Sequence, residues 1–128
     1  MKYFLISNNP LVRDTLGNDH EVVFVEGSFS DVLCAARDRC HKGHILLSHP
    51  LAGSVKPNET LYKTLMLSRK TGSTDADSIL LLENAMETAE KFGSVRRRWQ
   101  QRELDDFQLI DLTLIQSAME SCHEGYEI

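Results

Sequence analysis

The sequence predicts an α/β fold, a small three-layer sandwich on a mostly parallel four-stranded sheet of order 2-1-3 with strand 4 at an edge. Three observations carry this. Short runs rich in β-branched and aromatic residues alternate with stretches of helical period. Parallel strands need a covering segment between them, and right-handed crossovers supply it. A chain of 128 residues suits one domain, spanning 1–128, that hides roughly two-thirds of the surface it exposes unfolded.

Taken in order, residues 2–6 (KYFLI) and 21–25 (EVVFV) read as strands bounded by turn formers. Between them Asn9 is an N-cap and Pro10 stands at the first helical position, where its missing N–H is no loss. The short helix ends near Gly17. From Phe29, the apolar positions Val32, Leu33, Ala36 and Cys40 recur at helical spacing, and Gly43 supplies a C-terminal stop. Residues 44–47 make the third strand and 63–68 (KTLMLS) the fourth, whose direction the sequence does not set.

Thr74 with Asp77 resembles an acidic capping box. It opens a long amphipathic helix through Ile79, Leu82, Met86 and Ala89 to about Phe92. Residues 93–102 (GSVRRRWQQR) lack a period and form a connector. Phe107, Ile110, Leu114 and Ala118 then share a face, widened by Leu104, Ile115 and Met119, for a last helix that covers the sheet. The tail 121–128 is expected to fray.

Composition narrows the function classes. An apolar content of 41% with 26% charged residues belongs to a folded globular protein rather than a disordered one. No apolar run approaches the roughly 20 residues that cross a bilayer, and the N-terminus lacks a cleavage pattern, so neither a membrane span nor a signal peptide is expected. Three cysteines without C-x-x-C spacing point to a reducing cytoplasm. The net charge of −5 disfavours nucleic acid, whose binding rests on Lys and Arg neutralising phosphates. The cluster Arg96-Arg97-Arg98-Trp99 is the exception, read as a solvated segment balancing nearby acids or a docking patch for an acidic partner.

Ligands of open α/β sheets bind beyond the carboxyl ends of the strands, where the strand order reverses. Order 2-1-3 puts that crevice between Ser7-Asn8-Asn9 and Ser48-His49-Pro50. The loop after the third strand, about 15 residues long, is of a length often used for binding. Within it Gly53 allows close backbone approach, while Ser54 and Lys56 suit a carboxylate or phosphate. Asn58 and Glu59 would orient an amine or hydroxyl. The ligand-binding candidates are therefore Asn8, Asn9, Ser48, His49, Gly53, Ser54, Lys56, Asn58 and Glu59. The alternative is a loop stiffened by Pro50 and Pro57 whose polar groups satisfy its own backbone.

His49 is the one weak catalytic candidate, as a general acid or base, against a purely hydrogen-bonding role. No nucleophile stands with a positioned base. Cys40-His41, His44 and Cys122-His123 match no common zinc spacing, so neither metal nor cofactor is expected. Cys40, on an apolar stripe, reads as a small buried hydrophobe, and Cys34 as the more accessible thiol.

The segments SNNPLV, HKGHILLSHPLAGSVKPNETLYK, LENAMETAEKF and DDFQLIDLTLIQSA, which together span most of the chain, resemble the GrdX family. These are small proteins encoded with glycine reductase genes in amino-acid-fermenting anaerobic bacteria. The resemblance implies a setting, the reductive cleavage of glycine or related substrates to an acyl phosphate, and no catalytic residue. The expected function is an accessory protein of that system, binding a reductase component or a small anionic metabolite through the 48–60 loop. The alternative is a small enzyme acting on a carboxylate- or phosphate-bearing metabolite.

Overall fold

The structure, a computed structural model, describes residues 2–51, 61–92 and 99–125, with side chains for all of these but Phe92 and 123–125. In chain order the elements are β1 (Tyr3–Ser7), α1 (Pro10–Leu16), β2 (Val22–Phe24), α2 (Phe29–His41), β3 (Thr64–Ser68), α3 (Ala76–Phe92) and α4 (Gln101–Gly125). The sheet has three strands in the order β2-β1-β3. β2 runs parallel to β1, with Ile6 opposite Val23, and β3 runs antiparallel to it, with Leu5 opposite Met66.

The four-stranded, mostly parallel sheet expected from the sequence is therefore corrected to a three-stranded mixed one. The place beside β1 expected for residues 44–47 is taken by β3, all five of whose residues are buried, as a strand covered by helices on both faces requires. Residues 44–47 lie outside β3 and contribute one antiparallel bridge, Leu46 to Leu67, with Leu47 N–H donating to Met66 O at 2.7 Å and Ser68 N–H to Ile45 O at 2.8 Å. The ladder stops there because serine hydroxyls take its amides. Ser68 Oγ accepts from Ile45 N at 2.8 Å and Ser48 Oγ from Met66 N at 3.0 Å, while His44 Nδ1 takes Ser68 O at 2.7 Å.

Side chains of successive strand residues point to opposite faces, and each face has its own helices. Phe4, Ile6, Leu65 and Leu67 pack against Val32, Leu33, Ala36 and Cys40 of α2 and Leu82, Ala85 and Ala89 of α3. Leu5 and Met66 pack against Val12 of α1 and Leu112, Ile115 and Cys122 of α4. Each large side chain so buried contributes about 1.5–3 kcal/mol, which offsets the entropy of ordering the short strands.

Helix starts follow the side-chain chemistry. Asn9 caps α1, its Oδ1 accepting from Leu11 N at 3.0 Å, with Pro10 just inside. Ser28 and Asp31 form a reciprocal capping box on α2. α3 begins one residue later than the Thr74–Asp77 pairing implies: Asp75 accepts from the amide and hydroxyl of Ser78. Gly43 adopts φ 102°, a conformation that suits glycine, where the chain leaves α2.

α4 is turned relative to the expected stripe. Ile110 is 43% exposed, whereas Asp111, Leu112 and Ile115 face the sheet. The helix continues to Gly125, through part of the expected tail. No helix among the described residues is long and apolar enough to cross a membrane.

Candidate functional site

Six of the buried polar residues, Ser7, Asn8, Asn9, Lys63, Thr64 and Asp111, gather where β1 ends and β3 begins. Burying this much polar surface requires that nearly every group have a partner. Asn9 N–H donates to Ser7 Oγ at 2.9 Å, Ser7 Oγ lies 2.7 Å from Thr64 Oγ1, and Thr64 Oγ1 donates to Asp111 Oδ2 at 2.7 Å. With Asp111 ionised, Thr64 spends its one hydroxyl proton on the carboxylate, so Ser7 must donate to Thr64. The chain of bonds runs one way, from the Asn9 amide to the carboxylate.

Asp111 also accepts from Thr64 N at 3.1 Å and Asn9 Nδ2 at 3.0 Å, and Asn9 Nδ2 reaches Gln108 O at 2.9 Å. This network ties α4 to β1, β3 and the start of α1. Burial pushes the Asp111 carboxyl above its ordinary range, against the pull of the Thr64 and Asn9 hydrogen bonds and the Lys63 charge.

Asn8 extends the β1–β3 pairing by one residue. Its N–H donates to Lys63 O at 3.4 Å, and its Oδ1 stands in for a strand carbonyl by accepting Lys63 N–H at 2.8 Å. Its Nδ2 donates to Leu61 O at 2.7 Å and Gly27 O at 3.1 Å, fixing the segment before β3 and the approach to α2.

Lys63 differs from its neighbours. It is 6% exposed, yet among the described residues its ammonium makes no ion pair and no hydrogen bond. Burial lowers its pKa, with the Asp111 charge opposing. Lys63 lies one residue before β3, and Asn8, which accepts its backbone N–H, also donates to Gly27 O at 3.1 Å. The Lys63 ammonium is the group there that can accept an anion.

The family model of GrdX-like proteins matches residues 4–120. The chain belongs to the GrdX-like family. No curated protein and no solved structure matches it.

For this GrdX-like chain the structure places the sequence-selected residues as follows. Asn8 and Asn9 stand at the carboxyl end of β1, with both side chains engaged as above. Ser48 leaves the edge segment at the same end of the sheet, separated from β1 by β3. His49 is exposed, and its Nδ1 accepts from Leu51 N at 3.0 Å. Gly53, Ser54, Lys56, Asn58 and Glu59 lie outside the described residues, as do Arg96, Arg97 and Arg98. Trp99 packs edge-on against Phe107, with ring centroids 4.8 Å apart.

Lys63, Thr64 and Asp111 were not legible as site residues. A lysine opening an apolar strand was the available signal for Lys63. Asp111 falls at helical spacing from Phe107, Leu114 and Ile115, and a carboxylate on that apolar stripe was the available signal for it. Cys40 is buried, with its thiol pushed up to about 11, first by burial and then by Asp75. Among the described residues no cluster of three or more His, Cys, Asp or Glu could hold a metal.

Proposed function

We propose that this protein is an accessory component of the glycine reductase system that binds a small carboxylate or phosphate at the carboxyl end of β1. Family membership supports the setting. The observation that carries the ligand reading is the buried Lys63 ammonium without an acceptor among the described residues. A buried ammonium with no directly bonded acceptor is costly to keep even with the Asp111 charge acting on it, and an anion beside it relieves that cost. The 48–60 loop begins and ends at this end of the sheet, because Ser48 is held by Met66 and Leu61 by Asn8.

Thermal unfolding with glycine, betaine, sarcosine, phosphate and acetyl phosphate tests this reading. A ligand at about 100 times its dissociation constant adds about 2.7 kcal/mol and raises the midpoint by several degrees. The shift is expected in the natural chain and absent in Lys63→Met, which keeps most of the side chain's length and removes its charge. An equal shift in the variant, or none in either protein, overturns the ligand reading. Co-purification of reductase components with the tagged chain tests the setting separately.

A further inference from the structure

The opposite end of the sheet holds a second polar surface that the reading above does not use. A cavity of about 650 Å³ opens there, within the usual range for metabolite sites. Three of its walls are Lys2, Arg69 and Lys70, and among the described residues no carboxylate lines it. On a chain of net charge −5 such a concentration of cations is unexpected.

The backbone holds these groups together. Arg69 N–H donates to Lys2 O at 3.0 Å, next to the Tyr3–Ser68 pair that ends the β1–β3 ladder. Arg69 is steadied by Glu21, Nη2 to Oε1 at 2.8 Å, which among the described residues leaves most of its guanidinium donors uncommitted. Lys2 and Lys70 make no ion pair among the described residues. Glu21 and Asp19 line the adjoining cavity with Lys2 and Arg69, so the three cations keep a net positive charge of about one, which favours an anion such as a phosphate monoester.

The remaining walls suit the carbon body of such a compound. Ile45 is 41% exposed and faces this cavity as its apolar side. Gly43 and Gly72 form a close backbone contact, Gly72 N–H to Gly43 O at 3.1 Å, and a Cβ on Gly43 would run into the Gly72 carbonyl. Gly72 itself faces open space. The carbonyls of Arg39 and Cys40 at the end of α2 are already taken by the amides of Lys42, Gly43 and His44, so fewer bare carbonyls oppose an anion.

We infer that the cleft bordered by Lys2, Arg69, Lys70 and Ile45 is a second binding site, for a phosphate monoester of metabolite size. Lys2 and Lys70 neutralise the phosphate, Arg69 gives it directional hydrogen bonds, and Ile45 with the two glycines accommodates the ester's carbon chain.

The test is a two-dimensional ¹H–¹⁵N NMR titration of the full chain with glycerol 3-phosphate, with glycerol, and with chloride at matched ionic strength as controls. Saturable shifts of the Gly43, Lys70 and Gly72 amides are expected with the phosphate ester alone. Lys2→Glu with Lys70→Glu should weaken binding by about tenfold or more. Gly72→Val, whose Cβ meets no neighbour, should weaken it by occupying the cleft while leaving the melting midpoint in place. Absent shifts, equal shifts with chloride, or variants that bind as well as the natural chain would overturn the inference. Saturable shifts confined to Asn8 and Lys63 would also overturn it while supporting the site at the other end.

Discussion

Thr64 gives both its amide and its hydroxyl to the carboxylate of Asp111, at 3.1 and 2.7 Å, and so fastens the start of β3 to the middle of α4. Truncating Asp111 to alanine leaves these two donors and Asn9 Nδ2 without their acceptor in a dry place. A loss of about 2–4 kcal/mol is expected on chemical denaturation, because stranded buried donors forfeit their hydration as well as their bond. Asp111→Asn retains one acceptor oxygen and should lose less. A loss below the effect of an ordinary surface substitution would show that the network does not anchor α4.

The same carboxylate sets a pH dependence. Its folded-state pKa is raised, so between the unfolded value of about 3.9 and the folded one the native state holds more protons than the unfolded chain. Stability from this group is complete below that window and declines as pH rises through it. Comparing the natural chain with Asp111→Asn, the natural chain should lose stability relative to the variant as pH rises from about 4, until the folded carboxyl has titrated. A relative gain would reverse the assigned direction.

Lys63 has the opposite sign. Its pKa is lowered by burial, so its contribution is complete above the unfolded value of about 10.4 and is lost as pH falls through the folded one. At neutral pH the ammonium is a net cost in the ligand-free protein. Lys63→Met should therefore be neutral or more stable by about 1 kcal/mol near pH 7, with the advantage shrinking on the alkaline side. Denaturant midpoints of both proteins at several pH values measure this, and a clear destabilisation at pH 7 would show that the ammonium has a stabilising partner.

Thiol accessibility separates the three cysteines. Cys40 and Cys122 are buried and Cys34 is half-buried. The thiolate is the reactive form, and the Cys40 pKa of about 11 leaves little of it. Native-state alkylation read by mass spectrometry should modify Cys34 first and Cys40 only as the chain unfolds. Early modification of Cys40 would mean that the packing between α2 and α3 opens readily.

Much of the architecture was legible because it is local. Asn9 before Pro10 writes the start of α1, the spacing of Val32, Leu33, Ala36 and Cys40 writes α2, and the β-branched runs write β1 and β2. The end of the sheet where Asn8 and Asn9 stand follows from the alternation of strand and helix alone, as does the loop that begins at Ser48.

What the sequence did not determine is which strand lies beside which. Residues 44–47 and 64–68 are both short apolar runs, and only the whole sheet decides between them. β3 buries all five residues and takes the place beside β1, while the edge segment loses its ladder to the hydroxyls of Ser48 and Ser68. The same holds for Asp111. Its charge argues for solvent although its spacing puts it on the inward stripe, and the tertiary structure makes that burial tolerable because Thr64 and Asn9 offer it three donors. Local propensity and period determined the elements. The non-local pairing of hydrogen-bonding groups determined their order, the rotation of α4, and the burial of Lys63 and Asp111 where they meet.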